Sequence, residues 1–366
     1  IRCCRPTDCR CPLHTLAATA HVYLFGGVAD STMARHVYVL PAEAAGSGPG
    51  DAGAVDEERA EVEQLVVGLQ PVCDALVEAT DAGHAVQLIG GEQMGKSSLL
   101  EWFSHRAPTD ERPVALVNAR GVTQRSPVDF VRAVAAATGR EQEALVRLTA
   151  ERSVPTEEDA ARVLGWLCPL RLLVDNAQLL CGDGHDFTSS FWAHLRTLCI
   201  AGELHWISAS TEDLCQTFDE ETDAACFFGP GVRLMVGALE RDAVLVLLSA
   251  QLEEDGASEA LRLGGTLPAA VRWLSRQRGP STSDPAWVAQ RFRSWFHPLL
   301  ERWWRVLTPH ERETLHRLAT DQPADLASAT VSGLLDRGLL IAGDDRPRLN
   351  GEVLTEFAAR RSEPIS

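Results

Sequence analysis

Lysine is almost absent from this chain. Of 34 lysines and arginines only Lys96 is lysine, and arginine serves every other cationic position. Lys96 therefore marks a place where a compact, flexible point charge is wanted and a rigid planar fork does not serve. Basic charge as a whole is also short. The formal net charge of −17 leaves no basic face for coating nucleic acid, because phosphate neutralisation needs one; a small local basic patch stays open. Long apolar runs are missing as well. No window approaches the ~18 uninterrupted apolar residues of a membrane span. The opening stretch, with Arg2, Arg5, Asp8 and Arg10 among cysteines, lacks the apolar core of a signal peptide. These absences give the expectation of a cytoplasmic chain with no membrane partner.

Cysteine is present but unpatterned. Cys73, Cys168, Cys181, Cys199, Cys215 and Cys226 are scattered through apolar or helical segments and read as reduced thiols. Cys3, Cys4, Cys9 and Cys11 crowd the N-terminus near His14, without the paired C-x₂-C frame that zinc would need. The chain opens on Ile1, and Met33 offers an alternative start.

What is present is enough apolar residue for real cores, 45% against 23% charged over 366 residues, and hence room for two or three domains. Ala42 to Gly53, rich in Gly, Ala, Pro and Ser, reads as a linker. Apolar residues from Val62 to Val77 recur at helical spacing, with Pro71 expected to interrupt or kink that helix. Ala85–Ile89, Pro113–Asn118, Leu170–Val174 and Leu204–Ala209 read as strands. Ser97–Phe103, Val128–Thr138, Glu157–Leu167 and Phe191–Leu198 read as helices between them. This alternation predicts an α/β fold, a parallel sheet covered by helices. After about Arg233 the strand signals stop. Helices are expected over Glu240–Gln251, Ala257–Leu263 and Ala269–Arg278, followed by a mostly helical tail ending in a hairpin. The expected division is an irregular segment 1–55, a nucleotide-binding domain 56–232, a helical lid 233–284 and a tail domain 285–366.

Gly90-Gly91-Glu92-Gln93-Met94-Gly95-Lys96-Ser97 fits the phosphate-binding pattern G-x-x-x-x-G-K-[ST] between a strand and a helix. Gly90 and Gly95 allow backbone angles that turn successive N–H groups inward on a β-phosphate. Lys96 brings its point charge to the β- and γ-phosphates. Ser97 offers a hydroxyl to Mg²⁺, and with Ser98 it opens a helix whose positive end faces the phosphates. Some eighty residues on, Arg171-Leu-Leu-Val-Asp175 is an apolar strand ending in an acid. Such an acid holds Mg²⁺, usually through water, and is expected beside the loop in the sheet. Asn176 follows where many ATPases carry a glutamate base. An amide positions water but accepts no proton at neutral pH, so hydrolysis is expected to be slow or to draw on Asp183, Asp186 or Glu203. The tip Ser210-Thr211 either senses the γ-phosphate or caps the next helix. Arg196 and Arg272 are the candidates for a completing arginine.

This order of motifs resembles the STAND class of signal-transduction ATPases, the AAA-like group that includes NACHT and NB-ARC switches and archaeal ATPase relatives, over about residues 56–361. The resemblance implies ATP or ADP with Mg²⁺ on Gly90, Gly95, Lys96, Ser97 and Asp175. It also implies a lid break, Gly265 to Pro268, with Pro268 lining the nucleotide pocket at one residue's longer spacing than the family's Gly-x-Pro. It implies self-association in the ATP state and a protein sensor or effector as partner. The family's arginine after the fourth strand is absent at Ser210-Thr211. The tail, with Thr308-Pro309-His310-Glu311 as a helix start and a hairpin turning at Gly343–Arg346, resembles a winged helix. From Pro285 to Ser366 eleven arginines meet eleven acids, and the presumed recognition helix offers only Asp336 and Arg337. A major-groove reader needs more, so packing on the core or on a partner protein is preferred to DNA. Trp295, Phe296, Trp303 and Trp304 are expected to fill the core between lid and tail.

Overall fold

Val86-Gln-Leu-Ile89 is buried at every position, so this strand needs neighbours on both edges and cover on both faces. The computed structural model supplies both. It describes residues 66–106, 112–122, 126–152, 154–181, 187–217, 223–252, 254–276, 285–324, 328–343 and 346–361. The N-terminal cysteines, the Ala42–Gly53 linker, Asp183, Asp186 and most of the 279–285 boundary lie outside these residues.

The nucleotide-type domain runs α1 (Gln70–Asp81), β1 (Val86–Ile89), α2 (Lys96–Arg106), β2 (Val114–Asn118), α3 (Pro127–Ala137), α4 (Glu141–Leu148), α5 (Glu157–Leu167), β3 (Leu170–Asp175), α6 (Ser189–Ile200), β4 (Leu204–Ser210), α7 (Leu214–Thr217), α8 (Asp223–Phe228) and β5 (Val232–Met235). All five strands are parallel, in the order β2-β3-β4-β1-β5. The parallel sheet covered by helices is therefore as the sequence predicts. Two local readings change and one is narrowed. Of the two outcomes expected at Pro71, interruption holds: α1 starts at Gln70 and takes the proline in its first turn, where no N–H is missed. The strands do not stop at Arg233, because β5 pairs with β1 through Met235. The acid strand β3 is not beside the loop strand, since β4 lies between them.

Two apolar cores sit on the two faces of the sheet. One is aromatic, with Phe130, Phe187, Phe191, Trp192, Trp206, Phe227 and Phe228 interlocking. The other runs without a break from Leu76 and Leu99 through Leu247, Leu267 and Phe292 to Phe357. It unites the sheet with α9 (Arg241–Ser249), α10 (Glu254–Gly264), α11 (Pro268–Ser275), α12 (Pro285–Val306), α13 (Pro309–Ala319), α14 (Ser328–Asp336), the antiparallel pair β6 (Leu340–Ile341) and β7 (Arg348–Leu349), and α15 (Glu352–Ala359). Thr308 and Glu311 form the reciprocal cap expected at the start of α13. Phe296, Trp303 and Trp304 are buried in this core as expected. Trp295 is 37% exposed and stacks on Trp273 at the surface instead.

Besides the shared core and the Arg262–Glu352 ion pair, a buried amide joins the C-terminal unit to the lid. Asn350 is fully buried. Its Oδ1 accepts from the Thr266 backbone N–H at 2.8 Å and its Nδ2 donates to the Gly338 carbonyl at 2.8 Å. One partner is a donor and the other an acceptor, so the orientation of the amide is set. Gly265, at φ +62°, has no room for a side chain because a Cβ would overlap Asn350 Oδ1.

Candidate functional site

In a parallel sheet the C-terminal strand ends gather on one edge, and the chemistry of such folds gathers there too. β1 delivers Gly90–Gly95, β3 delivers Asp175 and Asn176, and β4 delivers Ser210 and Thr211 to that edge. Ser97 Oγ donates to Asp175 Oδ2 at 2.8 Å, bringing together two residues 78 apart in sequence despite the intervening strand. This pair of hard oxygen donors fits Mg²⁺, which takes one or two protein ligands and fills its octahedron with water and phosphate oxygen. When bound, the metal would neutralise phosphate charge. Among the described residues no cluster of three or more His, Cys, Asp or Glu could hold a metal by itself.

The loop residues divide by role. Gly95 has φ +96° and supplies the left-handed turn expected of it. Gly90 does not adopt such an angle; it must be glycine because a Cβ would overlap the carbonyl oxygen of Val236, just beyond β5. Gln93 carries positive φ, 61°, without being glycine. Met94 is buried in the core behind the loop. Lys96 is 8% exposed, and its Nζ donates to the Gly90 and Gly91 carbonyls, both at 2.7 Å. Burial pulls its pKa from 10.5 down to about 8, with Asp175 and Glu92 opposing the fall.

That shift has a measurable consequence. Bound phosphate stabilises the ammonium, so nucleotide binding above pH 8 must also take up a proton. MgATP affinity is then full below about pH 8 and declines about ten-fold per pH unit above it, until the bound-state pKa is reached. Titrations at pH 7.5 and pH 9.5 measure the slope, and Lys96→Ala abolishes it.

Asn176 sits in the left-handed region at φ 57°. Its backbone N–H donates to Asp175 Oδ1 at 2.9 Å and its amide to Asn118 Oδ1 at 3.2 Å. The side chain thus links the ends of β3 and β2. Glu203 is removed from the candidate bases: it precedes β4 and its carbonyl accepts from the Leu170 N–H, at the opposite edge of the sheet. Ser210 is fully buried, accepts from Gln87 Nε2 at 3.1 Å and donates to the Glu212 carbonyl at 2.6 Å. It ties down the strand tip and does not cap the following helix. Thr211 beside it is exposed.

Two residues reach the loop from the C-terminal half. Arg272 of α11 donates to Ser98 Oγ at 3.0 Å, which brings one of the two candidate arginines to the loop's helix. Arg196 lies on α6 with no bond to the loop. Arg302 of α12 donates through Nε to Glu92 Oε2 at 2.8 Å, a contact that sequence spacing gave no means to find. Pro268 begins α11 and is buried, four residues before Arg272.

A P-loop after β1, an acid at the end of β3 and a β2-β3-β4-β1-β5 sheet define a narrow group of folds. The AAA domain family model matches residues 80–218. The chain carries an AAA-type P-loop domain. Comparison of the sequence with curated proteins gives no match. Among solved structures, the Walker-type ATPase PABY2304 of Pyrococcus abyssi is similar over 79% of this chain and 94% of its own, at 15% identity and a TM-score of 0.50. That likeness extends the shared fold beyond the AAA domain into the C-terminal half. AMPPCP-bound DnaA from Aquifex aeolicus matches at 14% identity and a TM-score of 0.43, over 74% of this chain and 84% of its own. A chain of Drosophila ORC bound to DNA matches at 16% and 0.31, over 51% of this chain and 95% of its own. The sequence-based preference against nucleic acid draws no support from these comparisons. No helix among the described residues is long and apolar enough to cross a membrane.

Proposed function

We propose that the chain is an ATP-binding switch. MgATP in the Gly90–Ser97 loop holds the lid and C-terminal unit closed on the AAA domain and permits self-association, with slow or conditional hydrolysis. ADP leaves a closed monomer, and a protein sensor or effector acts on the difference. The observation that carries this reading is that lid and tail each touch the phosphate loop through an arginine, Arg272 on Ser98 and Arg302 on Glu92. A ligand shifts a conformational equilibrium only by contacts that differ between the two states, and these arginines bring lid and tail to the loop that would receive the nucleotide. The Asn176 amide, engaged with Asn118, supports slow turnover because it supplies no proton acceptor.

The expected result in sedimentation velocity is a larger species with MgATP than with MgADP or no nucleotide, lost in Lys96→Ala. An unchanged distribution in all three states removes the switch. Salt-dependent binding of duplex DNA replaces it with an ATPase that works on DNA. MgATP binding with no change of state and no turnover leaves a nucleotide-stabilised scaffold.

A further inference from the structure

Glu92 is an odd residue for its place. It puts a carboxylate in the loop that is to receive a polyanion, close enough to raise the Lys96 pKa. Its charge is met from 210 residues away by Arg302, whose Nε donates to it at 2.8 Å. The next residue of α12, Trp303, is buried against the same loop. A Cβ on Gly91 would lie 3.8 Å from its indole Nε1, and that N–H has no hydrogen-bond partner. Between loop and tail lies a cavity of about 200 Å³, lined in part by Gly91, Glu92, Thr211, Trp303, Val306 and Leu339. Arg302 thus holds the acid at the wall of the phosphate loop whenever α12 is docked.

We propose that Arg302 is a charge mask for the phosphate site, a positioning residue supplied by the C-terminal unit. With the tail docked, the ion pair cancels the Glu92 charge and the loop accepts phosphate. With the tail released, the bare carboxylate repels phosphate, the more so the greater the negative charge of the nucleotide. Linkage makes the effect reciprocal: a nucleotide that binds better to the docked form favours docking by the same factor. This rests on nucleotide occupying the Gly90–Ser97 loop. It adds the means by which the tail senses the nucleotide, namely charge at Glu92.

The test is equilibrium binding of fluorescent ATP and ADP, each with Mg²⁺, to the full chain and three variants at low salt. Arg302→Ala is expected to weaken ATP binding about five-fold, the lower range of measured site–site couplings, and ADP binding less. Glu92→Gln alone is expected to strengthen ATP binding by a similar factor, because Arg302 then stands uncancelled beside the phosphates. The double variant Glu92→Gln/Arg302→Ala returns to the wild-type value, because the loop wall is again neutral when both charges are gone. Equal affinity in Arg302→Ala and wild type overturns the proposal, as does a loss that Glu92→Gln fails to repair or that is the same for ATP and ADP; these mark plain packing. Failure of the wild-type chain to bind either nucleotide overturns the site reading as well, so the two failures are distinct.

Discussion

Lys96→Ala is expected to lower MgATP affinity at least about a hundred-fold, a difference of roughly 2.7 kcal/mol. The ammonium is the only strong donor within the loop besides backbone N–H groups, and it sits in a buried position where charge interactions are weakly screened. Removing one partner of a buried charge contact of this kind costs about 2–5 kcal/mol. Thermal denaturation provides the assay. MgATP at about 100 times its Kd stabilises the wild-type fold by roughly 2.7 kcal/mol and raises its melting temperature, and the variant shows no such rise. Lys96→Arg is expected to behave like the alanine variant. Lys96 Nζ reaches two carbonyls at 2.7 Å inside the loop, and a planar guanidinium has neither the compactness nor the rotation to leave them for a phosphate. A ligand-dependent shift in Lys96→Ala equal to wild type places the nucleotide elsewhere.

Asn350→Ala is the second large effect, and it falls far from the phosphate loop in sequence. Truncation leaves the Thr266 N–H and the Gly338 carbonyl without their partners, in a position with no solvent access. Each buried orphan costs about 1–3 kcal/mol, so the two together cost the junction roughly 2–6 kcal/mol. Asn350→Asp loses a donor and buries a carboxylate, and is no milder. The loss is local before it is global: limited proteolysis is expected to release the C-terminal unit while the AAA domain survives. Digestion at the wild-type rate contradicts this account of the junction.

The nucleotide end of the molecule was legible because its chemistry is local. Four of the eight positions from Gly90 to Ser97 are fixed by the pattern, Gly90, Gly95, Lys96 and Ser97, and the flanking strand and helix follow from short apolar periodicity. The parallel sheet was legible from the same alternation. β5 was not. Its four residues include Arg233 and lie among Gly229, Pro230 and Gly231, so burial against β1 decides the strand where pattern does not. The neighbour of β1 was misplaced because sheet order depends on where a crossover returns, which no spacing records. Glu203 looked like a candidate base because distance in sequence says nothing about which edge of the sheet a residue reaches. Arg302 and Asn350 were invisible for a related reason. Each is an ordinary polar residue on a helix or in a turn, given its role by partners 210 and 84 residues away.

The claim that nucleotide occupancy and tail docking are one equilibrium is tested most directly at a single amide. The Thr266 N–H is bonded to Asn350 Oδ1 only while the C-terminal unit is docked on the lid, so its hydrogen-exchange rate reports undocking. Saturating MgATP is expected to slow that exchange relative to the nucleotide-free chain, and to leave it unchanged in Lys96→Ala. Exchange at Thr266 that stays constant or quickens when wild-type protein is saturated with MgATP contradicts the coupling.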